Sequence, residues 1–284
     1  MKILIVGSSG MLGSDLMAVF QGESEGYETV GLDLPEIDIT LPESCRGVVE
    51  SLRPDVVINA AAFTRVDDCE TQHAAAMSVN GEGAGNLAAA AAAGDALFVH
   101  YSTDYIFDGR KTEGYLEDDA PAPVSVYGKS KLLGEELTRR NATELMILRI
   151  SWLFGANGAN FIRTITGAAR KGNPLRVVND QRGSPTYTMD VAEQTVKMID
   201  AGCRGTYHVT NGGACSWYDL AVQAVSWAKI PDVLITPVAG SEYPRPAPRP
   251  SNSILVDTRL AREGLPKLRP WQDAAREYVE RHLL

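Results

Sequence analysis

The sequence predicts an α/β fold: a Rossmann-type, doubly wound parallel sheet with a smaller C-terminal α/β substrate-binding lobe. Three observations carry this. The chain opens on a short apolar run, Lys2–Val6, that passes directly into Gly7-Ser-Ser-Gly10-Met-Leu-Gly13 and a helical pattern over 14–20. Further apolar runs at 28–33, 54–59, 96–101 and 145–150 alternate with helix-spaced segments, the pattern of βαβ units. The polar residues with useful chemistry fall at the ends of those runs, where a sheet of this kind presents its ligands.

The 284 residues suffice for a nucleotide-binding domain with a smaller lobe. The expected division is 1–150, with parts of 175–210 returning to it, and 151–284 as mainly the substrate lobe. Hydrophobic residues make up 44% and charged residues 22%, enough for a sizeable core. A net charge of −9 argues against non-specific binding to nucleic acid or anionic membranes, so an anionic substrate needs a locally basic patch. No run approaches ~18 apolar residues, and no signal-peptide pattern precedes the first strand. A cytoplasmic location is therefore expected. Cys45, Cys69, Cys203 and Cys215 lack C-x-x-C spacing and read as reduced and packed, and the four scattered histidines suggest no metal cluster.

In the first unit, Gly7 permits the tight turn, Gly10 lets a pyrophosphate approach the backbone, and Gly13 lets the helix pack on its strand. Ser9, Met11 and Leu12 complete this cofactor-binding loop. The helix N-terminus offers free N–H groups and the positive end of its dipole to the phosphates. Asp33 follows Gly13 by twenty residues, where an acidic side chain meets the adenosine ribose and repels a 2′-phosphate. Asp38 and Ile39 border the adenine in this reading, and Thr40 with Pro42 starts a helix running to about Leu52. The third strand ends in Ala60, Ala61 and Ala62, small residues that let a ligand such as the nicotinamide ribose lie against backbone. An alanine-rich helix over 81–93 reads as a close-packing face. Asn80, just before it, is a candidate for holding the strand ends or a water.

The stretch 99–134 holds the chemistry. Its strand ends in Ser102-Thr103-Asp104, and Tyr127-Gly-Lys-Ser-Lys131 opens a new helix. Tyr127 and Lys131, four residues apart, stand on one helical face. A free tyrosine has a pKa of about 10, and an ammonium one turn away lowers it, making Tyr127 a general acid. A hydroxyl from Ser102 or Thr103 can hydrogen-bond a substrate carbonyl from the other side. The arrangement suits protonation of an oxygen as hydride reaches its carbon.

After a strand at 145–150, a helix over 160–171, a strand at 175–178, a helix over 189–199, a short strand at 206–209 and a helix over 216–228 continue the alternation. The proline-rich segment 231–250 reads as an ordered loop, because residues 254–256 and a final helix at 271–282 need a surface to pack on. Arg182, Arg245 and Arg249 are candidates for binding a diphosphate, since a guanidinium meets phosphate oxygens in a bidentate way.

The glycine loop together with Tyr127 and Lys131 resembles the extended short-chain dehydrogenase/reductase superfamily. Pro54-Asp-Val-Val-Ile-Asn-Ala-Ala-Ala62, Tyr101-Ser-Thr-Asp-Tyr-Ile-Phe-Asp108, Val126-Tyr-Gly-Lys-Ser-Lys131, Arg149-Ile-Ser-Trp152, Asn179-Asp-Gln-Arg-Gly-Ser-Pro-Thr186 and Arg249-Pro-Ser-Asn-Ser253 resemble, more narrowly, the dTDP-4-dehydrorhamnose reductase family. The resemblance implies reduction of dTDP-4-dehydro-L-rhamnose at C4 by NADPH or NADH. It implies a catalytic trio of Thr103, Tyr127 and Lys131. Substrate contacts then fall on Thr64, Val66 and Trp152, with Asp104 and Tyr105 beside them.

Asp33 favours NADH, whereas the resemblance implies NADPH with tolerance of both, so the preference stays open. Ser125 stands where the family commonly has Asn, which leaves the loop geometry there open. Some members hold magnesium through glutamates at a dimer contact; this sequence matches no full ligand set, so no metal is expected, and a homodimer stays open. Two other classes are weighed. A non-catalytic regulator resembling the beta subunit of methionine adenosyltransferase has no need of all three catalytic residues. A 4-epimerase or 4,6-dehydratase is the other; dehydratases commonly carry Asp-Glu after the Thr, and here Asp104-Tyr105 follows.

Overall fold

Six parallel strands form the central sheet of a computed structural model that describes residues 1–22 and 26–284. These are β1 (Lys2–Val6), β2 (Glu28–Leu32), β3 (Val56–Asn59), β4 (Leu97–Thr103), β5 (Glu144–Ile150) and, at the far edge, Gly205–His208. Their spatial order is Gly205–His208, β5, β4, β3, β1, β2. The chain runs outward from β1 to β2, then crosses back to lay β3 on the other side of β1, which opens a crevice above the ends of β1 and β3. Register levels the ends: Val6 lies opposite Asn59, and Thr103 opposite Ile150.

All seven residues of β4 are buried, as expected of a strand covered on both faces. One face packs Leu12, Leu16 and Phe20 of the helix Met11–Gly22 with Val191 and Val196 of the helix Thr188–Asp200. The other packs Cys45, Val49, Leu87 and Ala91 against Leu4, Val57 and Phe98. A separate core joins the helices Phe161–Arg170, Trp217–Trp227 and Trp271–His282. The four cysteines are buried free thiols.

Two expectations change. The alanine-rich helix proper is Ala84–Ala93, and the preceding Met77–Gly83 winds as a π-helix. That wider turn directs Asn80 inward, where it donates to Phe63 O and Ser130 Oγ and accepts from Phe63 N. Within 175–210, only Gly205–His208 joins the central sheet. The strand Leu175–Val178 pairs instead with Ile235–Val238, inside the segment read as loop. Proline at 237 hid that strand, yet proline is tolerated in an edge strand. Residues 243–250 carry no helix or strand and are fastened by Ala247 N and Arg249 donating to Asp67.

Candidate active site

The cleft lies above the C-terminal ends of the strands, in two lobes that share Gly10, Ala60, Ala61 and Ala62. The outer lobe is lined by Gly7, Ser9, Asp33, Asp38 and Ile39 among others. Gly7 has φ +86°, and a Cβ there would stand 2.5 Å from Ala61 N; a Cβ on Gly13 would overlap the Gly7 carbonyl. These two glycines serve the chain's own packing. Gly10 has more room within the chain and leaves the loop surface open. Asp33 accepts from Ser8 Oγ at 2.7 Å and from Ser9 N at 2.8 Å, a link to Ser8 that the sequence reading missed. Asp38 accepts from the amide and hydroxyl of Thr40.

The inner lobe gathers Met11, Leu12, Gly13, Thr64, Val66, Ser102, Thr103, Asp104, Tyr105, Tyr127, Lys131 and Trp152. Tyr127 and Lys131 stand on the helix Val126–Asn141. Its N-cap is Ser125, which accepts from Gly128 N at 3.1 Å; serine supplies the cap that the departure from Asn left open. Gly128 is pressed against Tyr105 O, so a side chain there would force the helix off the wall.

Of the two hydroxyls weighed, the structure brings Thr103 near Tyr127 in the inner lobe, where its hydroxyl bonds to Asp104 Oδ1 at 3.0 Å and accepts from Tyr105 N at 3.2 Å. Ser102 alternates to the other face of the strand, near Glu135, and its Oγ is buried without a hydrogen-bond partner among the described residues. Lys131 is buried and donates through Nζ to the Tyr101 carbonyl at 2.6 Å. Burial pulls its pKa down to about 8, with Glu135 opposing. The expected depression of the Tyr127 pKa by Lys131 is not what the structure shows. Burial pushes that phenol up, the nearby Thr103 hydroxyl opposes this, and the Asp104 carboxylate adds to the rise. The lysine ammonium is turned to a backbone oxygen instead.

Asp104 is almost wholly buried at the base of the inner lobe. Burial raises its carboxyl to about 6, against hydrogen bonds from Thr103 at 3.0 Å and Ser151 at 3.2 Å and the nearby Ser253 hydroxyl. Beneath the lobe, Glu135 is gripped by Arg149 through Nε at 2.9 Å and Nη2 at 2.8 Å, with Arg139 at 2.8 Å.

Trp152 holds φ +45° and stacks on Trp217 at 3.5 Å with planes 4° apart, so the pair walls the inner lobe. Trp217 was not anticipated: it comes from a distant helix, and no local pattern pairs it with Trp152. Ser151 was legible in principle, since it directly follows a strand. The arginines separate. Arg249 borders the lobe from outside, bonded to Asp67 at 2.8 Å and close enough to Tyr105 for its charge to act on that phenol. Arg245 stands 3.7 Å from Asp67. Arg182 is exposed and does not reach the lining; its backbone pairs with Ser251 and Ser253. Among the described residues, no group of three His, Cys, Asp or Glu side chains is placed to hold a metal, and no helix is long and apolar enough to cross a membrane.

A spore coat polysaccharide biosynthesis protein of Bacillus subtilis is 40% identical over 279 residues, covering 98% of this chain and 97% of that protein. A dTDP-4-dehydrorhamnose reductase of Burkholderia thailandensis is 39% identical over 293 residues, covering 96% of each. The crystal structure of dTDP-4-dehydrorhamnose reductase from Bacillus anthracis in complex with NADP is 35% identical, with a TM-score of 0.95 and 98% of each chain covered. Residues 1–284 match the family described as the RmlD substrate binding domain, and the chain belongs to that family.

Proposed function

We propose that the chain reduces dTDP-4-dehydro-β-L-rhamnose to dTDP-L-rhamnose at the expense of NADPH or NADH. The observation that carries this reading is the convergence of Thr103, Tyr127 and Lys131 in a lobe continuous with the glycine loop. The residues present fit a dinucleotide: Gly7 and Gly13 fold the loop into a cradle at a helix N-terminus, and the alanines at 60–62 leave its floor flat. When bound, the reduced nicotinamide supplies the hydride.

The chain's own residues do the rest. Tyr127 holds the proton destined for the C4 oxygen of the sugar, and its high pKa keeps that proton in place until negative charge develops on the acceptor. Thr103 sits against the phenol and orients it. Lys131 brings a positive charge to the same wall. The Trp152–Trp217 stack offers a flat apolar surface to a deoxysugar.

Purified protein given dTDP-4-dehydrorhamnose with NADH or NADPH tests the reading. Loss of reduced-cofactor absorbance with formation of dTDP-L-rhamnose supports it. Isomerised sugar without net oxidation makes the chain an epimerase, and binding without turnover makes it a regulator.

A further inference from the structure

Trp152 occupies a backbone conformation that a side chain of its size enters only under strain: its φ of +45° lies in the left-handed region. Glycine would relieve that strain, so a tryptophan is held there by what its indole touches. The chain is pinned on both sides of it. Ser151 donates to Asp104 at 3.2 Å, while Leu153–Phe154 pairs with Thr186–Tyr187 and Thr186 N donates to Trp152 O at 3.2 Å.

Two segments confine the indole. Trp217 stacks on it with ring centroids 3.5 Å apart, and Phe161 packs on Trp217 in turn at 4.7 Å, tilted by 51°. Gly183 presses on it as well. A Cβ there would stand 2.3 Å from Trp152 Cε2, 2.5 Å from Nε1 and 2.7 Å from Cζ2, so only glycine lets the indole lie where it does. The two segments form one unit, because Arg182–Gly183 pairs antiparallel with Cys215–Ser216 and places Gly183 opposite Cys215. Ser216 then caps the helix Trp217–Trp227, accepting from Asp219 N at 3.0 Å and donating to Asn179 at 2.7 Å. Trp217 and Gly183 cannot part without opening that ladder and uncapping that helix.

We propose that Trp217 is a positioning residue: with Gly183 it clamps the Trp152 indole as a fixed apolar wall of the lobe that holds Thr103, Tyr127 and Lys131. For the identity of the sugar this rests on the reduction proposed above. An indole free to turn loses entropy when a ligand stills it, whereas one ordered in advance does not. The clamp therefore acts on affinity for the sugar and leaves the hold of the glycine loop on the cofactor untouched.

The first test needs no turnover. The chain has four tryptophans, so uniform fluorotryptophan labelling gives four fluorine resonances, and the one missing from Trp152→Phe belongs to Trp152. That resonance is expected to be a single sharp line in wild type and in Trp217→Phe, whose ring keeps a stack. In Trp217→Ala it is expected to broaden or divide as the indole takes up more than one position. A single sharp line in Trp217→Ala overturns the proposal. Gly183→Ala displaces the same indole without altering Trp217, and it serves as the second variant if Trp217→Ala does not fold; an unmoved Trp152 line there also overturns the proposal.

The second test is kinetic. Trp217→Ala is expected to raise KM for dTDP-4-dehydrorhamnose roughly tenfold with Kd for reduced cofactor held within about twofold, and Trp217→Phe to bring KM back to within about threefold of wild type. A general loosening of the fold moves both constants, which overturns the proposal. In a Trp152→Ala background, Trp217→Ala is expected to add less than about twofold, since nothing is left for it to position. The full rise in that background means that Trp217 acts on its own and also overturns the proposal. If wild type oxidises no cofactor with the keto sugar, the reduction reading fails, and the fluorine line of Trp152 decides the clamp by itself.

Discussion

Ser8 Oγ donates to the Asp33 carboxylate at 2.7 Å, which ties the glycine loop to the end of β2 at the rim of the cleft. Ser9 N adds a second bond to the same oxygen. The carboxylate is thus fixed in position, where it can meet ribose hydroxyls and resist a 2′-phosphate. Among the described residues, the outer lobe is lined by two carboxylates, Asp33 and Asp38, and by no lysine or arginine.

Asp33→Ala is expected to raise the NADPH-to-NADH ratio of kcat/KM by roughly tenfold, since removing one repulsive charge is a change of about 1.4 kcal/mol in discrimination. Steady-state kinetics with both cofactors measures it. An unchanged ratio means that the side chain serves only to hold the loop.

Tyr127→Phe removes the phenolic hydroxyl proposed as proton donor and keeps the ring against Tyr105, whose centroid lies 5.7 Å away. A fall in kcat of roughly 10²–10⁴ is expected, with cofactor affinity held within a few-fold. Stopped-flow turnover and fluorescence titration of reduced cofactor separate the two. Near-wild-type turnover takes Tyr127 out of the mechanism.

Gly13→Ala and Gly10→Ala are expected to differ in stability. A methyl at 13 would overlap the Gly7 carbonyl, whereas one at 10 would stand 3.2 Å from the same oxygen. The first should cost about 1–3 kcal/mol or more as the helix is forced off its strand, and the second well under that. Paired thermal melts decide it, and equal melting temperatures refute the packing role of Gly13.

Arg149→Met leaves the Glu135 carboxylate buried with Arg139 as its remaining ion-pair partner, itself partly exposed. A loss of about 3–5 kcal/mol is expected. Burial by itself raises the Glu135 pKa, but the Arg149 bonds and charge hold it below the usual value. A carboxyl depressed on folding contributes stability above its unfolded pKa, about 4.3, that is lost as pH falls through the folded value. Without Arg149 that loss begins at higher pH. Denaturant melts at neutral and acid pH check both points; a neutral-pH difference below about 1 kcal/mol would count against the pair.

The stretch that carries Thr103, Tyr127 and Lys131 was legible because its elements are local. A buried run ending in Thr103 and a four-residue step from Tyr127 to Lys131 place their side chains by strand and helix geometry alone. The step correctly placed the lysine on the same wall and wrongly assigned its charge to the phenol. Spacing fixes a side chain's origin, but the direction of a flexible ammonium depends on whichever oxygen lies within reach, here Tyr101 O. The strand Ile235–Val238 was missed for a related reason: its partner, Leu175–Val178, lies some sixty residues earlier, and proline obscured the local signal.

By itself, then, the sequence determined the α/β alternation, the glycine turn after β1 and the helix that carries Tyr127 and Lys131, because each follows from steric preferences and periodicities a few residues long. Only the tertiary structure decided which hydroxyl meets Tyr127, that Trp217 backs Trp152, that Arg182 stays outside the lobe while Arg249 reaches its rim, and that Asp104 is sealed among hydroxyls. Those outcomes depend on which distant segments pack side by side and on how much water they exclude, and neither is written into any short stretch of chain.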